Sequence, residues 1–516
     1  MTHNTSLCSL PDILGDQNYE PLSFDPNDLT PGIVHIGWGR FARAFINDFL
    51  TALASRGARD VGIIAVVPSA RQERLLRQLK EQQYVYTLIK RNGDETLTAV
   101  GALRDFLIGK HDPAAVISLL ARSSTRLVTL TITQVGYCVD EKKKLDMSNE
   151  IISDISAIRK GDYASVKTVP GWLTAGLYER YKQKQTPFTV ISCDNVPRNG
   201  DIIHGVIHTF AEQIDPSFAQ YIKDEAAFPN SVVDRVTPEQ NYDLNRRHLK
   251  ANYDIEDRGA VICEPHKWWI INKNFPAKYG QFLEDVGIRL VPSVEPYEKM
   301  KLSLFNGCHL ALGVTGKLLQ IPTVHDAMHD PQIRPFILAF LEEATNGLKT
   351  NIPIPVDDYS SDTVTRLDNP CITDPIRRLL SSTAGKVKPR LFNSAALERN
   401  LPHNASAFAI AAWLRYMQGV DESGNVYALS PGDEGRLQKL GLTDTNSIRQ
   451  NLPLLLAKDE ITAPSLALKA FVDNVIEYYR LIGDRGLRDS LEMRFTAQPH
   501  HPPRRVFKNK AAELNR

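Results

Sequence analysis

A chain of 516 residues exceeds what one hydrophobic core organises, so at least two domains are expected. Its 42% apolar and 23% charged residues are those of a soluble globular protein, and 61 basic against 60 acidic side chains leave no net field to recruit nucleic acid or an anionic membrane. The six cysteines (Cys8, Cys138, Cys193, Cys263, Cys308 and Cys371) are scattered without a C-x-x-C pair, no apolar run approaches a membrane span, and the polar first thirty residues lack a signal-peptide pattern. The reading is a reduced, cytoplasmic chain without a disulfide framework or zinc cage.

After an N-terminal extension, 1–30, the apolar run Ile33 to Ile36 ends in Gly37-Trp-Gly39-Arg-Phe41-Ala42-Arg43, a G-x-G-x-x-A turn. The apolar residues from Phe41 to Leu50 then recur at helical spacing. This is a strand, tight turn and helix. Gly37 permits the turn, Gly39 lets backbone approach a pyrophosphate, and Ala42 keeps helix and strand close. Val61 to Val67 begins about 20 residues later, as the second strand of a dinucleotide-binding βαβ unit should. Further strands are predicted at Arg126 to Thr133, followed by a loop Gln134 to Tyr137, and at Pro187 to Cys193, followed by the turn-rich Asp194 to Gly200. In an open parallel sheet both loops border one crevice.

Strands and helices alternate to about residue 295, and from Pro296 the pattern turns helical, with helices predicted over 339–348, 406–417 and 464–482. The expected fold is α/β: a Rossmann-type dinucleotide-binding domain over 31–295, a mostly α-helical domain over 296–495, and a basic, flexible tail over 496–516. In the stretch Glu298 to His309, a helix turning roughly 100° per residue would set Lys301, Glu298, His309 and Asn306 at about 0°, 60°, 80° and 140°, all on one face. Lys301 could serve as a general base if desolvated, Asn306 could donate to a polarised oxygen, and His309 could orient a hydroxyl. The bland alternative is a solvated helix surface.

Five ordered segments, within roughly 31–485, resemble the polyol-specific long-chain dehydrogenases, the mannitol dehydrogenase family. They are Val34 to Arg43, Thr129 to Thr133 with Gly136-Tyr137, Ser192 to Gly200, Phe228 to Pro238, and Lys301-x4-Asn306-x2-His309. The resemblance implies metal-independent hydride transfer between NAD and a secondary alcohol, with a sugar alcohol and its ketose as substrate pair and D-mannitol and D-fructose foremost. It makes Lys301 the base, Asn195 and Asn306 the oxyanion donors, and His309 a substrate-binding residue. Glu298 matches a carboxylate that relays the proton, against the alternative of an i,i+3 ion pair, and Asp234 matches one near the base, against a structural pair with Arg235. Arg378 and Lys386 or Lys388 resemble basic substrate contacts, with a surface charge cluster as the alternative, and Ala411 to Gly419 is spaced for core packing. A monomer or homodimer is expected.

This chain departs from the family in two places. Gln134 stands where the family carries glutamate, and the second strand ends Val67-Pro68-Ser69-Ala70-Arg71 without the acid that binds the adenosine ribose. Ser69 and Arg71 would suit a 2′-phosphate, and Glu73 would restore NAD only if its loop bends back, so NAD is favoured and NADP stays open. A hexuronate reductase of the same family and a catalytically silent dinucleotide sensor remain as alternatives. The latter need not retain Lys301, Asn195, Asn306 and His309 together.

Overall fold

Runs of buried β-branched residues build the first half of the chain. The computed structural model describes residues 19–140, 142–274, 280–348, 356–392, 401–457 and 465–496. The basic tail beyond 496 and most of the N-terminal extension therefore lie outside the described residues. The chain divides into two units, Met1–Glu295 and Pro296–Arg516.

The strands of the first unit are β1 (Tyr19–Glu20), β2 (Pro31–Ile36), β3 (Gly62–Val67), β4 (Tyr86–Asn92), β5 (Asp94–Val100), β6 (Leu103–Ile108), β7 (Leu127–Leu130), β8 (Thr189–Ser192), β9 (Ser231–Asp234), β10 (Val261–Cys263), β11 (Trp268–Asn272) and β12 (Ile288–Val291). A five-stranded parallel sheet runs β6-β3-β2-β7-β8, so the order reverses between β2 and β7. That reversal is the topological switch point at which doubly wound sheets bind ligands. Both faces are covered, with Ile33, Ile63 and Ala65 in one apolar cluster and Val34, Ile64 and Val66 in the other, as fully buried parallel strands require.

Three sequence expectations need correction. The hairpin β4–β5 and its sheet β1-β5-β4-β10 interrupt the strand–helix alternation. Asn92-Gly93-Asp94, with Gly93 at φ 82°, was the available turn signal. The strand predicted to Thr133 stops at Leu130, because the amides of Ile132 and Thr133 donate to the Asp194 carboxylate (3.1 and 2.8 Å) instead of a ladder. The helix after the glycine turn is broken at Phe45 (φ −119°, ψ −66°) into Arg40–Ala44 and Ile46–Ser55, where the fully buried Phe45 ring packs on Phe41, Phe49 and Trp269.

Apart from two isolated bridges, Thr323 with Pro375 and Val420 with Val426, the described secondary structure of the second unit is helical. Its central helix, Asn404–Tyr416, is buried on nearly every side, as the apolar spacing of this stretch requires, and Leu466–Arg485, Phe305–Leu318 and Ile333–Leu348 pack around it. Gly307 permits a close approach there. A Cβ would stand 2.6 Å from the Arg390 carbonyl oxygen and 2.9 Å from the Phe340 ring.

Candidate active site

In the first unit, the glycine turn leaves β2 at the switch point. Gly37 has φ 97°, and a Cβ on it would lie 2.1 Å from the carbonyl oxygen of Thr131, so the turn is seated directly on the end of β7. Gly39 is extended at the start of the next helix, with no side chain capping it, and a Cβ there would meet no atom nearer than 3.6 Å. Uncapped first-turn amides behind an uncrowded glycine are what a pyrophosphate needs. Ala42 is buried and Phe41 half-buried, whereas Ser69 and Arg71 are exposed just past β3. Arg43 was expected beside the cofactor. Its guanidinium is instead fully buried, donates to the Gly259 carbonyl (2.8 Å) and Tyr242 hydroxyl (2.5 Å), and stacks on Tyr242.

Behind the turn, His35 bridges two strands. Its Nδ1 lies 2.8 Å from Thr129 Oγ1 and its Nε2 lies 2.9 Å from Thr131 Oγ1, which donates to the Gly37 carbonyl at 2.8 Å. Because the Thr131 proton is committed to Gly37, Nε2 must carry hydrogen and Nδ1 must accept from Thr129. Burial holds His35 neutral, with its pKa pushed down to about 3.

The Ser192 to Gly200 segment is fixed by residues that sequence reading passed over. Asp194, nearly buried, accepts from the amides of Ile132 and Thr133 and from the Tyr137 hydroxyl (3.1 Å). Asn199 donates to the carbonyls of Ser192, Asp194 and Ser231. Asn195, the expected oxyanion donor, is exposed between them, and Gln134 is exposed on the short 3-10 turn after β7. A polar pair enclosing a post-strand loop was the signal, since buried Asp and Asn must find backbone partners. Asp234, at the end of β9, is buried with its Oδ2 3.4 Å from His266 Nε2. The structural ion pair at this point is that of Arg235 with Asp48 (2.7 Å).

In the second unit, the predicted continuous helix is two helices, Glu295–Ser303 and Phe305–Leu318, broken at Leu304 (φ −87°, ψ −78°). The ideal angular spacing therefore does not carry from Lys301 to Asn306. The polar side is not a solvated surface either: Lys301, Asn306 and His309 are 9%, 6% and 8% exposed, and Glu298 is half-buried one turn before Lys301. The Asn306 Nδ2 is buried and finds no acceptor among the described residues, which makes it a desolvated donor held ready.

His309 stacks edge-on against Phe305 (centroids 4.4 Å apart), and its Nε2 is 4.0 Å from Asp374 Oδ2, beyond hydrogen-bond reach. Its pKa is pushed down to about 3 by burial, and Arg378, Arg366 and Arg390 add to this against the opposing Asp374. A neutral imidazole can still orient a hydroxyl. Arg378, expected at the substrate, grips the same Asp374 through Nε (2.5 Å) and a second nitrogen, and so bears on His309 through that carboxylate. Lys386 is half-buried and donates to the Ser381 carbonyl. Its pKa is pushed down to about 8 by burial and by Arg390 and Arg378, against Asp433. The buried Asp433 also pins this turn by accepting from the amides of Thr383 (2.8 Å) and Ala384 (2.9 Å). Lys388 is exposed and donates to Ala457. Among the described residues no group of three or more His, Cys, Asp and Glu side chains could hold a metal, and no helix is long and apolar enough to cross a membrane.

Comparison with known proteins agrees with this arrangement of turn, sheet and helices. The mannitol dehydrogenase Rossmann domain matches residues 31–282, and the mannitol dehydrogenase C-terminal domain matches 293–481. Mannitol 2-dehydrogenase of Pyricularia oryzae is 34% identical over 424 residues, covering 81% of this chain and 84% of the relative. The Aspergillus fumigatus enzyme of the same name is 34% identical over 408 residues, 77% of this chain and 80% of its own length. Among solved structures, the ternary complex of Pseudomonas fluorescens mannitol 2-dehydrogenase with NAD and D-mannitol aligns with TM-score 0.77 at 30% identity, covering 93% of this chain and 97% of that one. A substrate-free D-sorbitol dehydrogenase aligns with TM-score 0.77 at 26% identity, covering 94% and 99%. With both family domains matched in order along most of its length, the chain belongs to the mannitol dehydrogenase family.

Proposed function

We propose that this chain is an NAD-dependent secondary-alcohol dehydrogenase that interconverts a sugar alcohol and its ketose, D-mannitol and D-fructose in the first instance. The observation that carries the reading is the burial of Lys301, Asn306 and His309 along one broken helix pair, with the Asn306 amide donor unspent. The likeness to an enzyme solved with NAD and D-mannitol supports both cofactor and substrate.

When bound, NAD supplies the hydride acceptor. Lys301 takes the hydroxyl proton as the hydride leaves the carbon, and Asn195 and Asn306 donate to the oxygen as it gains alkoxide character. Neutral His309 orients the substrate through a hydroxyl, and Glu298 passes the proton from Lys301 toward solvent. The family likeness assigns Asp234 to assist the base, and Lys386 to offer a second donor to the substrate. A lysine base makes a Lewis acid unnecessary for this step.

A hexuronate reductase is the second reading, favoured by the three guanidinium groups whose fields reach His309 against the single carboxylate of Asp374. Initial rates with NADH against fructose, xylulose, fructuronate and tagaturonate separate the readings. Turnover of fructose above the uronates supports the polyol enzyme, and the reverse order replaces it with the uronate enzyme. Binding of NADH without turnover of any of the four would leave the chain a dinucleotide sensor.

A further inference from the structure

In a doubly wound sheet the adenosine ribose lies beyond the strand next to the one bearing the glycine turn. Here that strand is β3, paired in parallel with β2. An acidic residue at its end binds the ribose hydroxyls of NAD and repels a 2′-phosphate. β3 ends at Val67, and Pro68-Ser69-Ala70-Arg71-Gln72 follows with no carboxylate. The segment borders the turn, since a Cβ on Gly39 would lie 3.6 Å from Gln72 Nε2.

The first acid after β3, Glu73, does not substitute. It sits in the first turn of helix Glu73–Glu81, with its Oε1 accepting from Arg77 Nε (3.0 Å) and from a second Arg77 nitrogen (2.5 Å). Arg71 and Arg74 are exposed and make no ion pair with the described residues. The segment that follows β3 therefore carries a cation and no carboxylate of its own, with the Ser69 hydroxyl and Gln72 carboxamide beside Arg71 in the sequence.

We propose that the Ser69–Gln72 segment accepts the 2′-phosphate of NADP(H), with Arg71 as the phosphate contact and Ser69 as a hydrogen-bond donor, so that this enzyme has lost selection for the unphosphorylated dinucleotide. The inference rests on reading the Gly37–Gly39 turn as the dinucleotide site. A planar guanidinium forks onto phosphate oxygens, and the nearest acid in sequence, Glu73, is paired with Arg77.

Titration of the purified full chain with NADH and with NADPH, followed by nicotinamide fluorescence, tests this. The NADPH Kd should be no more than about 10 times the NADH Kd, because an attractive ion pair stands where a repelling carboxylate would be. Arg71→Ala should raise the NADPH Kd at least about fivefold more than the NADH Kd, since it removes a charge that only the added phosphate meets, and Ser69→Asp should weaken NADPH relative to NADH, since a carboxylate there repels the phosphate and accepts from the ribose hydroxyls. A wild-type ratio above that limit, or equal shifts of both Kd values in Arg71→Ala, overturns the phosphate site while leaving the turn assignment intact. Failure to bind either dinucleotide overturns the turn assignment and this inference with it.

Discussion

Lys301 and His35 are both buried and do different work. In its proposed role as the base, Lys301 would act only on the reacting hydroxyl, so Lys301→Ala should lower kcat by roughly 10²–10⁴ while NADH affinity by fluorescence titration stays nearly unchanged. More than about a tenth of wild-type kcat remaining would contradict general base catalysis. His35 is expected to show itself in stability. Its folded pKa of about 3, like that of His309, lies below the 6.5 of an unfolded histidine. The unfolded state therefore binds more protons between these values, so stability is full above pH 6.5 and falls as the pH drops through the window, by up to about 1.4 kcal/mol per pH unit for each residue. Urea midpoints measured between pH 7.5 and pH 5 should fall, and His35→Asn should flatten the slope. A wild-type midpoint constant across that range would mean that the imidazole is not held neutral. Of these two residues only Lys301 was singled out in the sequence, through the Lys301-x4-Asn306-x2-His309 motif and its family resemblance. The role of His35 depends on Thr129 and Thr131 about a hundred residues away, a pairing that only the sheet creates.

At the level of elements, the glycine turn and its flanking strands could be read because turn chemistry is local. Gly39→Val should place a branched side chain where backbone must meet pyrophosphate, raising the NADH Kd with little loss of stability, since a Cβ there meets only ordinary contacts at 3.6 Å and beyond. Gly37→Ala is expected to behave differently. With φ at 97° and a carbonyl oxygen 2.1 Å from the new Cβ, it should destabilise the first unit outright, and thermal denaturation beside the dinucleotide titration separates the two effects. The breaks at Phe45 and Leu304 were not legible. A period of 3.6 residues runs unchanged through both in the sequence, and the interruption at Phe45 comes with aromatic packing around a buried ring. The hairpin of β4 and β5 was within reach of its Asn-Gly turn, but β-branched residues on both sides matched the expected alternation of strand and helix.

For the whole molecule, the proposed reaction sets a pH behaviour that a binding protein would not share. With Lys301 as the proposed base, alcohol oxidation would require it neutral and ketone reduction would require it protonated, so oxidation should rise and reduction fall as pH increases through one common midpoint. Two unrelated midpoints in the pH–rate profiles would remove Lys301 as the shared group. Glu298→Gln should slow the oxidative direction and enlarge its solvent isotope effect without changing NAD affinity, whereas an unchanged oxidative profile would return Glu298 to an ion-pair role. The order of sheet and helices was legible because each half has its own hydrophobic period. The substrate was not, because Arg378 and Lys386 reach their surroundings through Asp374 and Ser381, contacts that no spacing reveals.

The Asp194 carboxylate, which gathers the amides of Ile132 and Thr133 and the Tyr137 hydroxyl, has a practical consequence for anyone retargeting this enzyme. The loop after β7 and the loop that presents Asn195 are a single exchangeable cassette. Transplanting either alone from a relative whose partner loop differs strands the buried Tyr137 hydroxyl, at a cost of about 1–3 kcal/mol, and leaves two part-buried amides to solvent. A graft that moves Ile132–Tyr137 together with Ser192–Asn199 keeps the knot tied, and it is the smallest piece of this protein that can be traded without loosening what it carries.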